Sequence, residues 1–329
     1  LVAMLAARDK FYPLSKKEGL FDNEPLCAFV SKESHYSHLK AGYQLGIGID
    51  QIIKVSCDST GHMDPSALLI EIKNAIADGK KPFFVGATAG TTIRGVFDPI
   101  KKINKLCKDY GLWFHIDGSW GGSVLLSKKH RDLLNGCEES DSFAWCAHKM
   151  MGVPLMCTVI LMRDKDVLKR INEVPSTDYL FHGEEMDLGL YSLQCGRRAD
   201  SIKLWLTWKY FGDIGYEKRI DRLFDLAKYA ESKVNNSRLF KMISPVESLN
   251  VCFQLQPEEL NESEWNEFTI RVRDKLADEG KIMVNYANIN NSSCIRLIVV
   301  NFNLRRHHLD TFFESLEITC KKILKESKN

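Results

Sequence analysis

Short apolar runs alternate with amphipathic stretches through the first two thirds of the chain. Several near-continuous apolar segments have the length of buried strands: residues 26–30, 51–56, 82–87, 112–116 and 142–145. Stretches between them carry apolar side chains at helical spacing: residues 34–45, 64–79 and 98–111. Because apolar strands separated by helices are typical of a parallel sheet covered on both faces, the pattern predicts an α/β fold.

Two aspartate–proline pairs mark predicted helix starts. Asp64-Pro65 and Asp98-Pro99 each precede an apolar stripe at helical spacing. Aspartate accepts hydrogen bonds from the free amides of a first turn, and proline at the first helical position loses no hydrogen bond. Both aspartates are therefore expected to cap helices.

The pattern changes near residue 235. Two long helical stretches, residues 199–210 and 216–234, lead to the polar segment Asn235-Asn236-Ser237. Beyond it, strands are predicted at 240–243, 251–255, 282–286 and 294–300, with helices at 262–277 and 306–325. The chain is therefore expected to form a large domain, residues 1–235, and a small C-terminal α+β domain, residues 236–329.

Composition narrows the class of function. A chain of 329 residues with 44% hydrophobic residues can bury a large core. Its 45 basic and 43 acidic residues give a net charge of +2, which argues against nucleic acid or a membrane as the main partner. The 10 cysteines form no Cys-x-x-Cys pair, and no histidine cluster has metal-ligand spacing. We therefore expect a cytoplasmic protein without a metal site.

Candidate chemistry lies just beyond two predicted strands. Asp117 follows residues 112–116, and His148-Lys149 follows residues 142–145. In open α/β sheets, ligands bind beyond the carboxyl ends of the strands. A lysine there can bind an aldehyde cofactor as a Schiff base, and an aspartate can keep a pyridine nitrogen protonated. His-Lys alone is a common surface dipeptide, but this combination predicts a pyridoxal-phosphate site.

Longer motifs carry a family resemblance. They are His115-Ile116-Asp117-Gly118-Ser119-Trp120-Gly121-Gly122, the segment from Trp145 to Lys149, and Leu193-Gln194-Cys195-Gly196-Arg197. Together they resemble the group II pyridoxal-phosphate-dependent decarboxylases, and are most similar to glutamate decarboxylase and cysteine sulfinate decarboxylase. The resemblance implies the fold type I, aspartate aminotransferase-like α/β architecture, with a mainly parallel sheet and a small C-terminal α+β domain. It also implies a homodimer with the active site at its interface.

The resemblance implies three catalytic residues. Lys149 matches the lysine that binds the pyridoxal 5'-phosphate aldehyde, and Asp117 matches the partner of the pyridine nitrogen. His35 matches the histidine stacked on the cofactor ring, whereas His38 is expected to be structural.

Other positions match further contacts of the family. Arg296 matches the arginine that holds the substrate carboxylate, for which a planar guanidinium is well suited. The matched cofactor contacts are Thr92, Ser119 under the ring, Cys146, and His148 near the phosphate.

Three features depart from the family pattern. Cys146 stands where the family has asparagine, and a thiol is a weak hydrogen-bonding group. Met186 stands where the family has a proton-donating tyrosine; Tyr191 and His182 are candidate substitutes. Residues 1–8 resemble the helix that follows the family's Gly-Gly-Ser phosphate turn, but the turn is absent. The chain is thus expected to be either a fragment or a degenerate relative.

Several functions stay open at this point. The resemblance favours decarboxylation of L-glutamate to 4-aminobutanoate and carbon dioxide, with cysteine sulfinate or aspartate as alternative substrates. Without the loop tyrosine, the carbanion would react with oxygen or be protonated at the wrong carbon. A catalytically impaired member would instead serve as a non-enzymatic subunit.

Overall fold

The computed structural model describes residues 1–21, 23–175 and 188–326. The helices are α1 (Val2–Phe11), α2 (Ser15–Glu18), α3 (Ser37–Gln44), α4 (Pro65–Ala77), α5 (Ile100–Asp109), α6 (Val167–Asn172), α7 (Ser201–Asn235), α8 (Trp265–Asp278) and α9 (Arg306–Glu326). The strands are β1 (Leu26–Ser31), β2 (Ile52–Val55), β3 (Lys81–Thr88), β4 (Trp113–Gly118), β5 (Ser142–Cys146), β6 (Thr158–Met162), β7 (Phe240–Met242), β8 (Asn250–Leu255), β9 (Asn285–Ile289) and β10 (Ser292–Ile298).

The first six strands form one sheet in the order β2-β1-β3-β4-β5-β6. Strands β1 to β5 run parallel, and β6 pairs antiparallel with β5. In this sheet Thr88 pairs with Asp117, and Gly118 pairs with Trp145. The carboxyl ends of β3, β4 and β5 therefore lie side by side, as the predicted α/β fold requires.

A second, antiparallel sheet has the order β7-β8-β10-β9, and α8 and α9 pack beside it. One apolar cluster is continuous between the two sheets: it includes Phe114 of β4, Leu223 of α7 and Phe253 of β8. The helix α7 bends at Gly212, whose φ of 64° and ψ of 177° are non-helical. Because both sheets contribute to this one core, the boundary at residue 235 between a large and a small domain stays a prediction.

Asp98 does not cap α5. Its buried carboxylate instead accepts hydrogen bonds from the N–H groups of Met63 and Thr88, both at 2.7 Å. Burial raises the pKa of Asp98 to about 6, although the two N–H donors oppose this shift. Asp64 does cap α4, because its side chain accepts from the Ser66 N–H at 2.8 Å.

The strand predicted at residues 282–286 is displaced: β9 spans Asn285–Ile289. The register is set by the two-residue turn Asn290-Asn291, whose φ values of 47° and 68° are both left-handed. Such a turn matches the twist of an antiparallel hairpin, and asparagine tolerates this conformation. The apolar residues Ile282 and Val284 therefore pack against the core rather than pair in a strand.

Among the described residues, no helix is long and apolar enough to cross a membrane.

Candidate active site

Asp117 lies near the end of β4 and is 8% exposed. Its Oδ1 accepts a hydrogen bond from the Ser119 N–H at 3.0 Å. Burial alone would raise the pKa of Asp117, but nearby His38 and hydrogen bonds from Ser119 outweigh burial and hold the pKa below its usual value. Asp117 is therefore a buried, ionised carboxylate at the edge of the sheet where ligands bind.

His35 and Lys149 lie at the same sheet edge as Asp117. His35 follows β1, and Lys149 lies in the turn after β5, where its N–H donates to the Cys146 carbonyl at 3.1 Å. Burial lowers the pKa of His35; the Asp117 carboxylate opposes this shift and the Lys149 ammonium adds to it. Both charges act on the same imidazole, so the three predicted catalytic side chains lie close enough to interact electrostatically.

A cavity of about 170 Å³ opens beside Asp117, with His38, His115 and Ser119 also in its wall. Burial lowers the pKa of His115 to about 3, so this ring is neutral at physiological pH. Its Nδ1 lies 2.9 Å from the Ser142 hydroxyl. The sequence predicts a structural role for His38 and gives no separate role to His115, the first residue of the motif that contains Asp117. Both were detectable only as histidines near apolar strands, a weak signal.

The turn from Thr91 to Gly95 links the two sheets. The Thr92 carbonyl accepts hydrogen bonds from Arg296 Nη1 at 3.1 Å and from Asn250 Nδ2 at 3.2 Å. The Gly95 carbonyl accepts from the Ser248 hydroxyl at 2.9 Å. Arg296 is half-buried, and its Nε is buried without a hydrogen-bond partner. The structure thus brings together Arg296 and Thr92, although the Thr92 side chain is exposed.

Cys146 and His148 are held by the segment around residues 157–158. The Cys146 Sγ lies 3.3 Å from the Thr158 hydroxyl, and the His148 Nδ1 accepts from the Cys157 N–H at 3.0 Å. Their cofactor contacts, like the other predicted site roles, stay predictions. Met186 and His182 lie outside the described residues, whereas Tyr191 is half-buried in the short turn Leu188–Tyr191.

This arrangement has known relatives. The model of the pyridoxal-dependent decarboxylase conserved domain matches residues 1–256. The chain belongs to this family. It is 37% identical to mouse (Mus musculus) cysteine sulfinic acid decarboxylase and 38% identical to the human (Homo sapiens) protein, covering 97% and 96% of this chain. Each match spans 67% of the relative, so the chain corresponds to about two thirds of their length.

Solved structures agree with the family match. A crystal structure of mouse CSAD superimposes with a TM-score of 0.91 at 38% identity, covering 97% of this chain and 69% of that one. Catharanthus roseus tryptophan decarboxylase superimposes with a TM-score of 0.87 at 23% identity, covering 98% and 67%. The second likeness concerns the fold alone. The predicted fold class is confirmed, and the family is one of carboxy-lyases that use pyridoxal phosphate.

The residues fit this cofactor. Asp117 presents a buried negative charge to a cavity that Ser119 also lines, as a protonated pyridine nitrogen requires. Lys149 and His35 are not among the described residues that line this cavity. Lys149 supplies an amine, and its positive charge acts on the His35 imidazole, as the Asp117 carboxylate also does. When bound, pyridoxal phosphate supplies an aldehyde for the amino group and a ring that accepts the electron pair left by carbon dioxide.

Proposed function

We propose that the chain decarboxylates a small acidic amino acid, with cysteine sulfinate as the first candidate and L-glutamate as the second. The order is supported by 37% and 38% identity to two cysteine sulfinic acid decarboxylases. The preference for glutamate that the motifs favoured has no such support. The structural observation that supports the proposal is Arg296, a partly buried cation whose Nη1 donates to the Thr92 carbonyl in the segment after β3.

Three side chains would hold and activate the cofactor. Lys149 would hold the aldehyde carbon until the substrate amine replaces it, and would then be free to accept or return a proton at its Nζ. Asp117 would keep a proton on the pyridine nitrogen by direct attraction between opposite charges. His35, neutral because burial lowers its pKa, would cover the ring face without adding a competing positive charge.

Arg296 would fix the substrate by a carboxylate. Its Nη1 is engaged by the Thr92 carbonyl, whereas its buried Nε lacks a hydrogen-bond partner. A buried guanidinium nitrogen without a partner is costly, and a carboxylate would satisfy it with a charge-assisted hydrogen bond. Water exclusion around this contact would strengthen it further.

Substrate choice can be measured directly. Carbon dioxide release by the holoenzyme would be compared for L-cysteine sulfinate, L-glutamate, L-aspartate and L-tryptophan. We expect kcat/KM to be highest for an acidic substrate, with cysteine sulfinate ahead of glutamate. Turnover of tryptophan above that of all three acids would contradict the proposal, since the chain would then share a substrate preference, and not the fold alone, with the tryptophan decarboxylase.

We also propose a homodimer, supported by an apolar stripe on α7. Its exposed side chains recur at helical spacing and lie on one face: Ile202, Trp205, Leu206 and Tyr210. Lys203 Nζ donates to the carbonyls of Leu155 and Met156, which places two more exposed apolar side chains beside this stripe. Sedimentation should show a dimer that Trp205→Glu weakens and Ile318→Glu, on α9, does not. A wild-type monomer would contradict the proposal.

The cytoplasm remains our proposed location. All 10 cysteines are free thiols in the structure, and several of them are buried. Free thiols persist in a reducing compartment. Cell fractionation that placed the protein in an oxidising compartment would contradict this proposal.

A further inference from the structure

A polar cleft of about 670 Å³ lies between the two sheets. One wall comes from the segments that follow β1 and β2, and the other from the β9–β10 hairpin. Its lining consists of polar and charged side chains together with Cys57, and several asparagines are among them: Asn266, Asn288, Asn290 and Asn291. Clefts between structural units are common ligand sites, and this lining suits a small polar ligand rather than an apolar one.

Arg94 forms the floor of this cleft and is only 2% exposed. Its Nη1 donates to the Ser59 carbonyl at 3.3 Å and its Nη2 to the Asn290 Oδ1 at 3.4 Å. Its Nε has no hydrogen-bond partner, and the carboxylate of Glu33 is 3.7 Å away from it. A guanidinium has five N–H donors, so this buried cation is poorly compensated. An anionic ligand group would supply the missing acceptors.

Local backbone features hold this cation in place. Gly61 has a φ of 101°, and a Cβ there would lie 2.7 Å from Arg94 Cδ. Only glycine allows both the left-handed turn and the close approach of the arginine stem. On the opposite wall, the left-handed Asn290-Asn291 turn brings the Asn290 amide to the guanidinium, and Asn266 Nδ2 donates to the Asn291 carbonyl at 2.9 Å. The cleft is therefore lined by five separate segments: residues 32–33, 56–58, 94, 266 and 288–293.

The other charges in the cleft indicate the ligand's second group. The Oδ1 of Asp58 accepts from the N–H groups of Thr60, Gly61 and His62 in its own turn, and its Oδ2 lies 3.3 Å from His62 Nδ1. The Glu33 side chain is 23% exposed, and among the described contacts its carboxylate has only the long one with Arg94, whereas its backbone N–H donates to Ser31 Oγ. Lys32 is exposed at the rim. The cleft thus offers a buried cation and a reachable carboxylate.

We propose that this cleft binds a small free amino acid, with its carboxylate on Arg94 and its ammonium group toward Glu33. Planar carboxylates pair bidentately with guanidinium groups, and the asparagine amides would orient the rest of the ligand. The described residues that line the cleft do not include Lys149, Asp117 or Arg296, so the site is separate from the proposed catalytic groups. The proposal needs no assumption about the decarboxylation substrate.

A ligand bound in the cleft would affect the turn that contacts Arg296. Arg94 and Thr92 belong to one tight turn, in which the Gly95 N–H donates to the Thr91 carbonyl at 2.9 Å. The Thr92 carbonyl is in turn held by Arg296. A ligand that pulls on Arg94 therefore acts on the same turn that positions the proposed substrate arginine.

Binding can be tested on borohydride-reduced holoenzyme, in which the cofactor aldehyde has been consumed. Three probes are titrated by ligand-observed NMR and calorimetry: L-alanine, propionate, which lacks the ammonium group, and ethylamine, which lacks the carboxylate. We expect L-alanine to bind, propionate to bind more weakly and ethylamine not to bind. Equal affinity for L-alanine and propionate would overturn the assignment of an amino acid, and absence of L-alanine binding would overturn the site.

Matched variants locate the contact. Arg94→Gln should weaken L-alanine binding by about tenfold or more, the usual effect of losing a hydrogen bond to a charged group. Arg296→Gln, the same change at the neighbouring arginine, should leave it intact; the reverse result would assign the binding to the catalytic site. Glu33→Gln should lower the affinity for L-alanine to that for propionate. Should Arg94→Gln fail to fold, the Glu33→Gln and Arg296→Gln comparisons still decide the question.

Discussion

Asp117 makes the sharpest prediction for a single side chain. Asparagine at this position can still accept the Ser119 N–H, so Asp117→Asn should fold normally. It loses the negative charge that would stabilise a protonated pyridine, and we expect kcat to fall by roughly 10²-fold or more. Steady-state kinetics and thermal melting would be compared with Asp132→Asn, an exposed control. If Asp117→Asn kept near wild-type turnover, another acidic residue would have to stabilise the protonated pyridine.

Arg296 makes a prediction about substrate breadth. Arg296→Ala should lower kcat/KM by roughly 10- to 100-fold, because a charge-assisted hydrogen bond is lost. The loss should be similar for cysteine sulfinate, glutamate and aspartate if the arginine holds the carboxylate that all three share. Arg238→Ala, at an exposed position, is the control. Loss confined to one acidic substrate would show that Arg296 binds the distal acidic group instead.

Individual residues were predictable from sequence where topology alone places them. Asp117 lies in the last residues of β4 rather than beyond the strand as predicted, and Lys149 follows β5, the neighbouring parallel strand, so their shared sheet edge follows from the alternating pattern. Arg94 was not foreseen, because its burial depends on a hairpin almost 200 positions away, through the contact with Asn290. His38 was assigned to structure, since its approach to the Asp117 cavity requires that Gly86 leave space beside it.

The bend in α7 predicts a purely conformational effect. Gly212 has backbone angles that only glycine adopts readily, yet a Cβ there would have no heavy atom within 4 Å. Gly212→Ala should therefore lower the free energy of unfolding by about 1–3 kcal/mol through backbone strain alone. Gly196→Ala is the matched control, because that glycine is equally uncrowded and has no left-handed φ. Equal urea stability of the two variants would contradict the strain.

The link between His62 and Glu247 predicts a pH dependence. His62 Nε2 lies 2.6 Å from Glu247 Oε1, and this hydrogen bond raises the pKa of His62 despite partial burial, with Asp58 also contributing. A raised histidine pKa adds stability that is complete below the unfolded value of about 6.5 and is lost as pH rises through the folded pKa. Because the pair is partly exposed, the effect should be about 1 kcal/mol or less.

The measurement compares urea unfolding of wild type and His62→Gln from pH 6 to pH 9. The stability difference between them should shrink as pH rises. Glu247→Gln should show the same trend, since either change removes the pair. A difference independent of pH would mean that His62 acts by packing alone.

The parallel strands β1 to β5 and most of the helices were predicted from sequence, whereas the strand order and the antiparallel strand β6 were not. Two local sequence signals were also misleading. Asp98 has the sequence of a cap, yet Met63 and Thr88 bring two buried amide donors to it, and these hold it away from α5. The displaced β9 is explained by the Asn290-Asn291 turn, which fixes pairing more strongly than the apolar residues before it. In both cases a tertiary contact overrides a local signal.

The shared core predicts cooperative unfolding of the whole molecule. Leu223 is fully buried in the cluster that joins both sheets. Leu223→Ala should lower the unfolding free energy by about 2–5 kcal/mol, and far-UV and near-UV circular dichroism should still report coincident transitions. Ile318→Ala, at an exposed position, should change little. Two separated transitions would show instead that residues 1–235 and 236–329 unfold independently.

The contact between Gly95 and Ser248 has an evolutionary consequence. A Cβ at position 95 would lie 2.2 Å from the Ser248 hydroxyl, whose hydrogen bond to the Gly95 carbonyl joins residues 153 positions apart. A Cβ at position 95 would also lie 2.9 Å from Asn250 Cγ, and the backbone φ of Gly95 is 74°. Position 95 is therefore expected to stay glycine as relatives diverge, and positions 248 and 250 are expected to keep side chains that leave room for its carbonyl contact. A recombination breakpoint near residue 235 would take position 95 from one parent and position 248 from the other. A hybrid made there would therefore combine two sides of this contact that did not evolve together.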